Sequence, residues 1–207
     1  MPTISGLIYS VSAPSGAGKT SLVKALLEQD AHLEVSVSHT TRPIRPGEVD
    51  GKHYHFVDEA AFLKLRDEDG FVEHAKVFEH WYGTSVQSIE TILSHGHDII
   101  LDIDWQGAKQ IRESFPEQSV SIFLLPPSIE ALRERLIARG QDSEDTVNYR
   151  MERSKAEMKH YADADYLIIN DDFDKALADL QSIVRVRQLR VPFQQRHNGL
   201  VIEQLLS

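Results

Sequence analysis

The sequence contains no cysteine among its 207 residues. Disulfide bonds, thiolate metal sites and cysteine nucleophiles are therefore excluded. It also lacks any apolar run that approaches the ~20 residues of a membrane-spanning helix. Its first residues show no basic segment followed by an apolar one, so nothing in them predicts secretion. We expect a cytoplasmic protein without a membrane partner.

Positive charge is scarce in this chain. The 22 lysines and arginines are outnumbered by 32 aspartates and glutamates, which gives a net charge of −10. Such a chain repels nucleic-acid polymers, so we expect none as a partner. A small phosphorylated ligand needs only a few cations in one place. The length is sufficient for one core with inserted lobes.

Four short apolar runs predict the strands of a parallel sheet. Their apolar residues are continuous rather than alternating, which is typical of strands covered on both faces by helices. The runs occupy residues 7–11, 98–104, 120–125 and 166–170. Amphipathic helical patterns follow several of them, so the sequence predicts an α/β fold.

The predicted helices have clear signals at their ends. Ser128 is placed to cap one helix that stops at Gly140, and Asp172 is placed to cap another. Residues 37–85 and 128–160 interrupt the alternation of strands and helices. We interpret both as insertions on an α/β core.

A glycine-bearing turn follows the first predicted strand and precedes a helix. It consists of Ser12, Ala13, Pro14, Ser15, Gly16, Ala17, Gly18, Lys19, Thr20 and Ser21. The pattern G-x-x-x-x-G-K-[ST] is matched except at Ala13, where alanine is acceptable because a residue before proline favours an extended backbone. Such a turn directs backbone N–H groups and the positive end of a helix dipole at a phosphate.

The side chains of this turn have expected roles of their own. Lys19 can reach the β- and γ-phosphates of a nucleotide, and the Thr20 hydroxyl can ligate Mg²⁺. Asp102, at the carboxyl end of a predicted central strand, can orient Mg²⁺ through water. The alternatives are an ordinary turn with an exposed lysine and a solvated aspartate at a strand end.

A second cluster of residues is suited to bind another phosphate. Arg42 and Arg45, stiffened by Pro43 and Pro46, form a fork for a dianionic phosphate. Tyr54 adds a hydroxyl donor. The sequence therefore predicts two separate anion sites.

From Thr40 to Phe56 the chain resembles guanylate kinases, whose signature T-[ST]-R-x₂-[KR]-x₂-[DE]-x₂-[GA]-x₂-Y-x-[FY] it matches at each fixed position. The resemblance extends from the phosphate loop to residues 170–172. It implies a P-loop nucleoside monophosphate kinase fold, a parallel central sheet flanked by helices. It also implies a core of residues 1–36, 86–127 and 161–207, a GMP-binding lobe of residues 37–85, and a lid of residues 128–160.

The resemblance implies transfer of the γ-phosphoryl group of ATP to GMP or dGMP, with Mg²⁺. The residues implied to be catalytic are Lys19, Arg42, Arg139 and Arg150. Those implied to bind ATP are the loop residues 12–21 with Arg135 and Asn170. Those implied to bind GMP are Ser38, Arg42, Arg45, Glu48, Tyr54, Glu73, Tyr82, Thr84 and Asp104. Those implied to hold the metal are Thr20 and Asp102.

The chemistry of guanine agrees with a carboxylate at position 73. Guanine presents its N1–H and N2–H donors side by side, so one carboxylate can accept both. Adenine presents an acceptor at N1, which would leave the carboxylate unpaired, and such a buried mismatch discriminates strongly. The hydroxyls of Ser38 and Thr84 can donate to O6.

Two other functions compete with this interpretation. Guanylate-kinase-like domains of scaffolding proteins bind peptides and typically lose parts of the phosphate loop or lid, whereas Gly18, Lys19 and Thr20 are present here. A related phosphotransferase that acts on a sugar phosphate should lack the guanine-reading residues. The sequence leaves the oligomeric state open, including a homo-oligomer.

Overall fold

The computed structural model describes residues 6–77, 79–138 and 144–207. Its strands are β1 (Ile8–Ser12), β2 (Leu33–Val35), β3 (His39–Thr40), β4 (His55–Phe56), β5 (Phe71–Val77), β6 (His80–Ser85), β7 (Asp98–Asp102), β8 (Ser119–Leu125) and β9 (Tyr166–Ile169). Its helices are α1 (Lys19–Leu27), α2 (Glu59–Asp67), α3 (Val86–Ser94), α4 (Trp105–Ser114), α5 (Ile129–Ala138), α6 (Glu144–Met158), α7 (Phe173–Gln188), α8 (Val191–His197) and α9 (Gly199–Leu206), with a 3₁₀ helix at Lys159–Asp163. Within these ranges no helix is long and apolar enough to cross a membrane.

The central sheet has the strand order β2-β7-β1-β8-β9, and every neighbouring pair is parallel. The four apolar runs of the sequence form β1, β7, β8 and β9. Apolar side chains cover both faces of the sheet, as continuous runs require. This arrangement confirms the predicted α/β class with a parallel sheet between helices.

Alternate side chains of β1 pack into the two apolar clusters on opposite faces of the sheet. Tyr9 and Val11 pack with Leu22 of α1 and Leu180 of α7 on one face. Ile8 packs on the other face, in a cluster with residues of β7, α3 and α4. Each fully buried side chain of this size contributes roughly 1.5–3 kcal/mol. The sheet therefore holds the loop that follows β1 in a fixed place.

The predicted strand of residues 98–104 was too long, because β7 ends at Asp102. Asp104 instead caps α4, since its Oδ1 accepts from the backbone N–H of Gly107 at 2.9 Å. A capping residue must leave the strand ladder so that its side chain can reach back to the first turn of the helix. The strand and the helix are thus joined by a very short turn at the carboxyl end of β7.

A second sheet has the order β4-β3-β6-β5. The β5–β6 and β3–β6 pairs are antiparallel, and the β3–β4 pair is parallel. Helix α2 covers this sheet with Phe62, which is fully buried and whose ring lies 4.5 Å from that of Phe71 and 5.9 Å from that of Trp81. The strands of residues 39–85 are short and polar, so the sequence predicted an insertion here but no sheet.

Helices α5 and α6 share a small apolar cluster that includes Leu132, Leu136 and Val147. The Ser128 hydroxyl accepts from the backbone N–H of Ala131 at 3.1 Å, which confirms the predicted cap of α5. The predicted end at Gly140 lies outside the described residues. Asp172 caps α7 as predicted, through the N–H of Lys175.

Candidate active site

The loop between β1 and α1 has the backbone of a phosphate cradle. Gly16 and Gly18 adopt φ values of 97° and 96°, which residues with side chains rarely tolerate. The N–H of Ala17 donates to the carbonyl of Pro14 at 3.1 Å, which closes the turn. Gly18 is the N-cap residue of α1, so the loop leads directly into the positive end of that helix dipole.

The carboxyl end of β7 meets this loop. Lys19 Nζ lies 2.6 Å from Asp102 Oδ1 and donates to the carbonyl of Ile103 at 2.7 Å. The Thr20 hydroxyl donates to Asp102 Oδ2 at 2.8 Å. An ammonium group, a hydroxyl and a carboxylate thus lie together at the carboxyl ends of the strands, where ligands of open α/β folds bind.

Two of the residues predicted to bind ATP contact the loop and its surroundings. Asn170 Nδ2 donates to the carbonyl of Ala17 at 2.7 Å, and Arg135 donates to the carbonyls of Asn170 at 2.9 Å and Ala17 at 3.4 Å. Their contacts with ATP stay predictions. At the ends of the predicted loop, Ser12 is buried in β1 and Ser21 is exposed on α1.

Hydrogen bonds hold the Arg42 guanidinium in a defined orientation. Its guanidinium donates to Glu48 Oε1 at 2.7 Å and to the carbonyl of Pro43 at 2.6 Å, and the residue is 8% exposed. Glu48 Oε2 also accepts from the backbone N–H of Arg45 at 2.7 Å. The hydrogen bond from Arg42 lowers the pKa of Glu48 from its ordinary value. Glu48 therefore orients the Arg42 guanidinium and fixes the backbone at Arg45, and its predicted contact with GMP stays a prediction.

Two tyrosines flank this arginine pair. The rings of Tyr54 and Tyr82 lie 5.9 Å apart, and the Arg42 guanidinium lies 5.5 Å from the Tyr54 ring. Burial raises the pKa of Tyr54 well above its ordinary value, so its hydroxyl stays protonated and can donate.

Glu73 is a nearly buried carboxylate in β5, with 3% of its surface exposed. Its Oε1 accepts from the Thr84 hydroxyl at 2.6 Å, and the Ser38 hydroxyl lies 3.4 Å from that of Thr84. Burial raises the pKa of Glu73 to about 7, and nearby Asp104 adds to the effect. The structure thus brings the predicted guanine-reading residues together, although Thr84 is fully buried and contacts Glu73.

One cleft of about 600 Å³ connects the two regions. The predicted site residues that line it are Ala13, Pro14, Ser15, Gly16, Ala17, Gly18, Lys19, Thr20, Ser38, Arg42, Arg45, Tyr54, Glu73, Tyr82, Asp102, Asp104 and Arg150. Arg139 lies outside the described residues. The volume is in the range of small-molecule sites, and the two cationic regions face one space.

Glu157 of α6 also lines the cleft, although it is not among the site residues predicted from the sequence. Burial raises the pKa of its carboxyl, and the charge of Asp104 raises it further. Glu157 lies in a helix where acidic and basic residues alternate, which is typical of a solvated face. No sequence pattern distinguished it from its exposed neighbours.

Thr20 and Asp102 provide the oxygens that suit Mg²⁺ at this edge. In the described ranges no group of three or more His, Asp or Glu side chains could hold a metal ion by itself. Mg²⁺ commonly uses one or two protein ligands and completes its shell with waters and substrate phosphates. The residues present therefore fit an ion that arrives with a nucleotide.

The parallel sheet, the phosphate loop and the facing arginines define a P-loop phosphotransferase of the nucleoside monophosphate kinase class. The family model described as guanylate kinase matches residues 7–187, and the chain belongs to that family.

Relatives and a solved structure agree with this assignment. A guanylate kinase of Legionella pneumophila (strain Lens) is 53% identical over 203 residues, which are 98% of this chain and 97% of that protein. One from Histophilus somni (strain 129Pt) is 55% identical over 204 residues, or 97% and 98% of the two chains. The crystal structure of guanylate kinase from Anaplasma phagocytophilum is similar with a TM-score of 0.76 and 35% identity, covering 92% of this chain and 90% of that one.

Proposed function

We propose that this chain transfers the γ-phosphoryl group of ATP to GMP, giving ADP and GDP, in the cleft between the phosphate loop and the arginine pair. The family has this reaction. The observation that supports it in the present chain is that Lys19, Arg42 and Glu73 line the same cleft. One cationic region suits a triphosphate, and the other suits a monophosphate attached to a guanine base.

ATP binds with its phosphates on the loop of residues 13–20. The N–H groups that precede α1 offset the negative charge of the phosphates, and Lys19 leaves Asp102 for the β- and γ-phosphates. Arg150 of α6, which lines the cleft, contacts the ATP phosphates. Arg135 and Asn170 act on ATP through the shape of the loop, because they donate to loop carbonyls.

The GMP phosphate binds to Arg42 and Arg45 with the Tyr54 and Tyr82 hydroxyls. A guanidinium already aligned by Glu48 loses little conformational freedom on binding, so the fork is preorganised. Glu73 reads the N1–H and N2–H donors of guanine. Its carboxylate is already fixed by Thr84, and burial makes an unpaired edge costly for other bases.

Transfer is direct and in line, with no covalent enzyme intermediate. The GMP phosphate is itself an adequate nucleophile, so the chain supplies position and charge compensation rather than a general base. Closure of residues 37–85 and 128–160 over the core excludes water, which otherwise would accept the phosphoryl group. Thr20 and Asp102 would hold Mg²⁺ beside the ATP phosphates. The ion, when bound, compensates phosphate charge.

Replacement of Arg42 by methionine tests the acceptor side of this proposal. Arg42→Met should raise KM for GMP at least about tenfold and lower kcat, because a charge-assisted hydrogen bond contributes roughly 1.5–3 kcal/mol. Steady-state kinetics by coupled ADP detection measures both constants. Arg185→Met, on the exposed end of α7, is the matched control and should retain wild-type kinetics. Wild-type constants for Arg42→Met would contradict the assignment.

A further inference from the structure

We propose that Gly107 and Gln110 of α4 are positioning residues that set the Glu73 carboxylate for guanine recognition. The inference rests on the proposed function, because it assumes that Glu73 reads the base. The two residues are three positions apart and so lie on one face of the helix. This face packs against β5, the strand that carries Glu73.

Gly107 provides the space in which the Glu73 carboxylate lies. A Cβ atom at this position would clash with Glu73 Oε2 and lie 3.1 Å from its Cδ. The backbone of Gly107 is helical, and helices favour alanine over glycine. Local helix stability therefore gives no reason for a glycine here, whereas the close approach of Glu73 does.

Gln110 fixes the strand beside Glu73. Its Oε1 accepts from the backbone N–H of His74 at 3.0 Å, and its Nε2 donates to the carbonyl of His74 at 2.9 Å. β5 is an edge strand of the second sheet, so these backbone groups face away from β6. The carboxamide thus takes the place of a neighbouring strand and sets the position of β5 along α4.

Glu73 is consequently located from two directions. Thr84 holds Oε1 by a hydrogen bond of 2.6 Å, and the gap at Gly107 receives Oε2. The Gln110 clamp acts on the next residue of the strand. A displacement of about 1 Å can lower a rate about a hundredfold. Loss of the space at Gly107, or of the Gln110 hydrogen bonds to His74, should therefore impair the reaction with GMP.

The experiment compares GMP with IMP, which lacks the 2-amino group and hence one donor to Glu73. Wild-type enzyme should prefer GMP in kcat/KM by about tenfold or more. Gly107→Ala and Gln110→Leu should each lower kcat/KM for GMP at least about tenfold, lower it less for IMP, and leave KM for ATP within about twofold.

Two matched controls separate positioning from general damage. Gly199→Ala alters a helical glycine whose Cβ would meet open space, and Gln87→Leu alters an exposed glutamine on α3. Both should keep the GMP/IMP ratio of the wild type. The melting temperature of each variant is recorded, and Gly107→Ala supplies a test independent of the strand clamp if Gln110→Leu folds poorly.

A third variant, Glu73→Gln, separates the guanine-reading role of Glu73 from the positioning role of Gly107 and Gln110. If it removes the GMP preference while Gly107→Ala and Gln110→Leu keep it, the positioning role is overturned and the role of Glu73 stands. If Glu73→Gln keeps the preference, the assignment of Glu73 fails, and the positioning role fails with it. A GMP/IMP ratio that falls in all three variants and in neither control supports the inference.

Discussion

The buried carboxyl of Glu73 should make the stability of the folded protein depend on pH. Burial raises its pKa from the usual 4.5 to about 7, although the hydrogen bond from Thr84 opposes the rise. Because the folded-state pKa lies above the unfolded one, the folded protein holds this proton more tightly. The contribution of Glu73 therefore favours folding at low pH and is lost as the pH rises from about 4.5 through about 7.

The size of this effect follows from the two pKa values. They differ by about 2.5, and each whole step corresponds to ~1.4 kcal/mol, so the ionised carboxylate costs about 3 kcal/mol of stability above pH 7. Glutamine has nearly the same shape, does not titrate in this range, and can still accept from Thr84 through its carbonyl oxygen. Glu73→Gln should therefore become increasingly more stable than the wild type as the pH rises.

Urea denaturation at several pH values between 4.5 and 8 measures this difference. The free energy of unfolding of Glu73→Gln minus that of the wild type should grow by about 3 kcal/mol over the range. Glu203→Gln, on the exposed surface of α9, is the control and should show no comparable growth. A flat difference for Glu73→Gln would refute the desolvated environment from which the guanine-reading role is argued.

Two further variants test other parts of the structure. Asp102→Asn removes the carboxylate that is proposed to hold Mg²⁺ and that lies 2.6 Å from Lys19 Nζ. The Mg²⁺ concentration for half-maximal activity should therefore rise several-fold, while KM for GMP changes little. An unchanged Mg²⁺ dependence in a titration would argue against the metal site. Phe62→Ala empties a fully buried position that stacks on two aromatic rings, so it should cost roughly 3–5 kcal/mol in urea denaturation, and a loss under about 1 kcal/mol would contradict the packing described for the second sheet.

The central sheet and the phosphate loop could be predicted because their signals are local. Residues 122–125 of β8, for example, are four consecutive apolar residues followed by two prolines, a pattern that favours a buried strand. The loop requires small residues before Lys19, and Gly16 and Gly18 meet that need through positive φ angles. Such features depend on neighbours in the sequence, so the sequence alone displays them.

The partners of the site residues could not be predicted because they depend on long-range contacts. The pairing of Asn170 with Ala17 joins residues far apart in sequence, and the clamp of Gln110 on His74 joins a helix of the core to the second sheet. A glutamine within a polar helix face gives no signal of such a role. The metal ligands, Arg139, use of dGMP and the cytoplasmic location stay predictions.

An acceptor screen with ATP and Mg²⁺ tests whether this chain phosphorylates GMP. GMP, AMP, CMP, UMP and a sugar phosphate are supplied in turn, and ADP and the phosphorylated acceptor are quantified together. Transfer to GMP should give equal amounts of ADP and GDP, and the other acceptors should react at rates at least about a hundredfold lower. No GDP with GMP, or a faster reaction with the sugar phosphate, would contradict the proposed function.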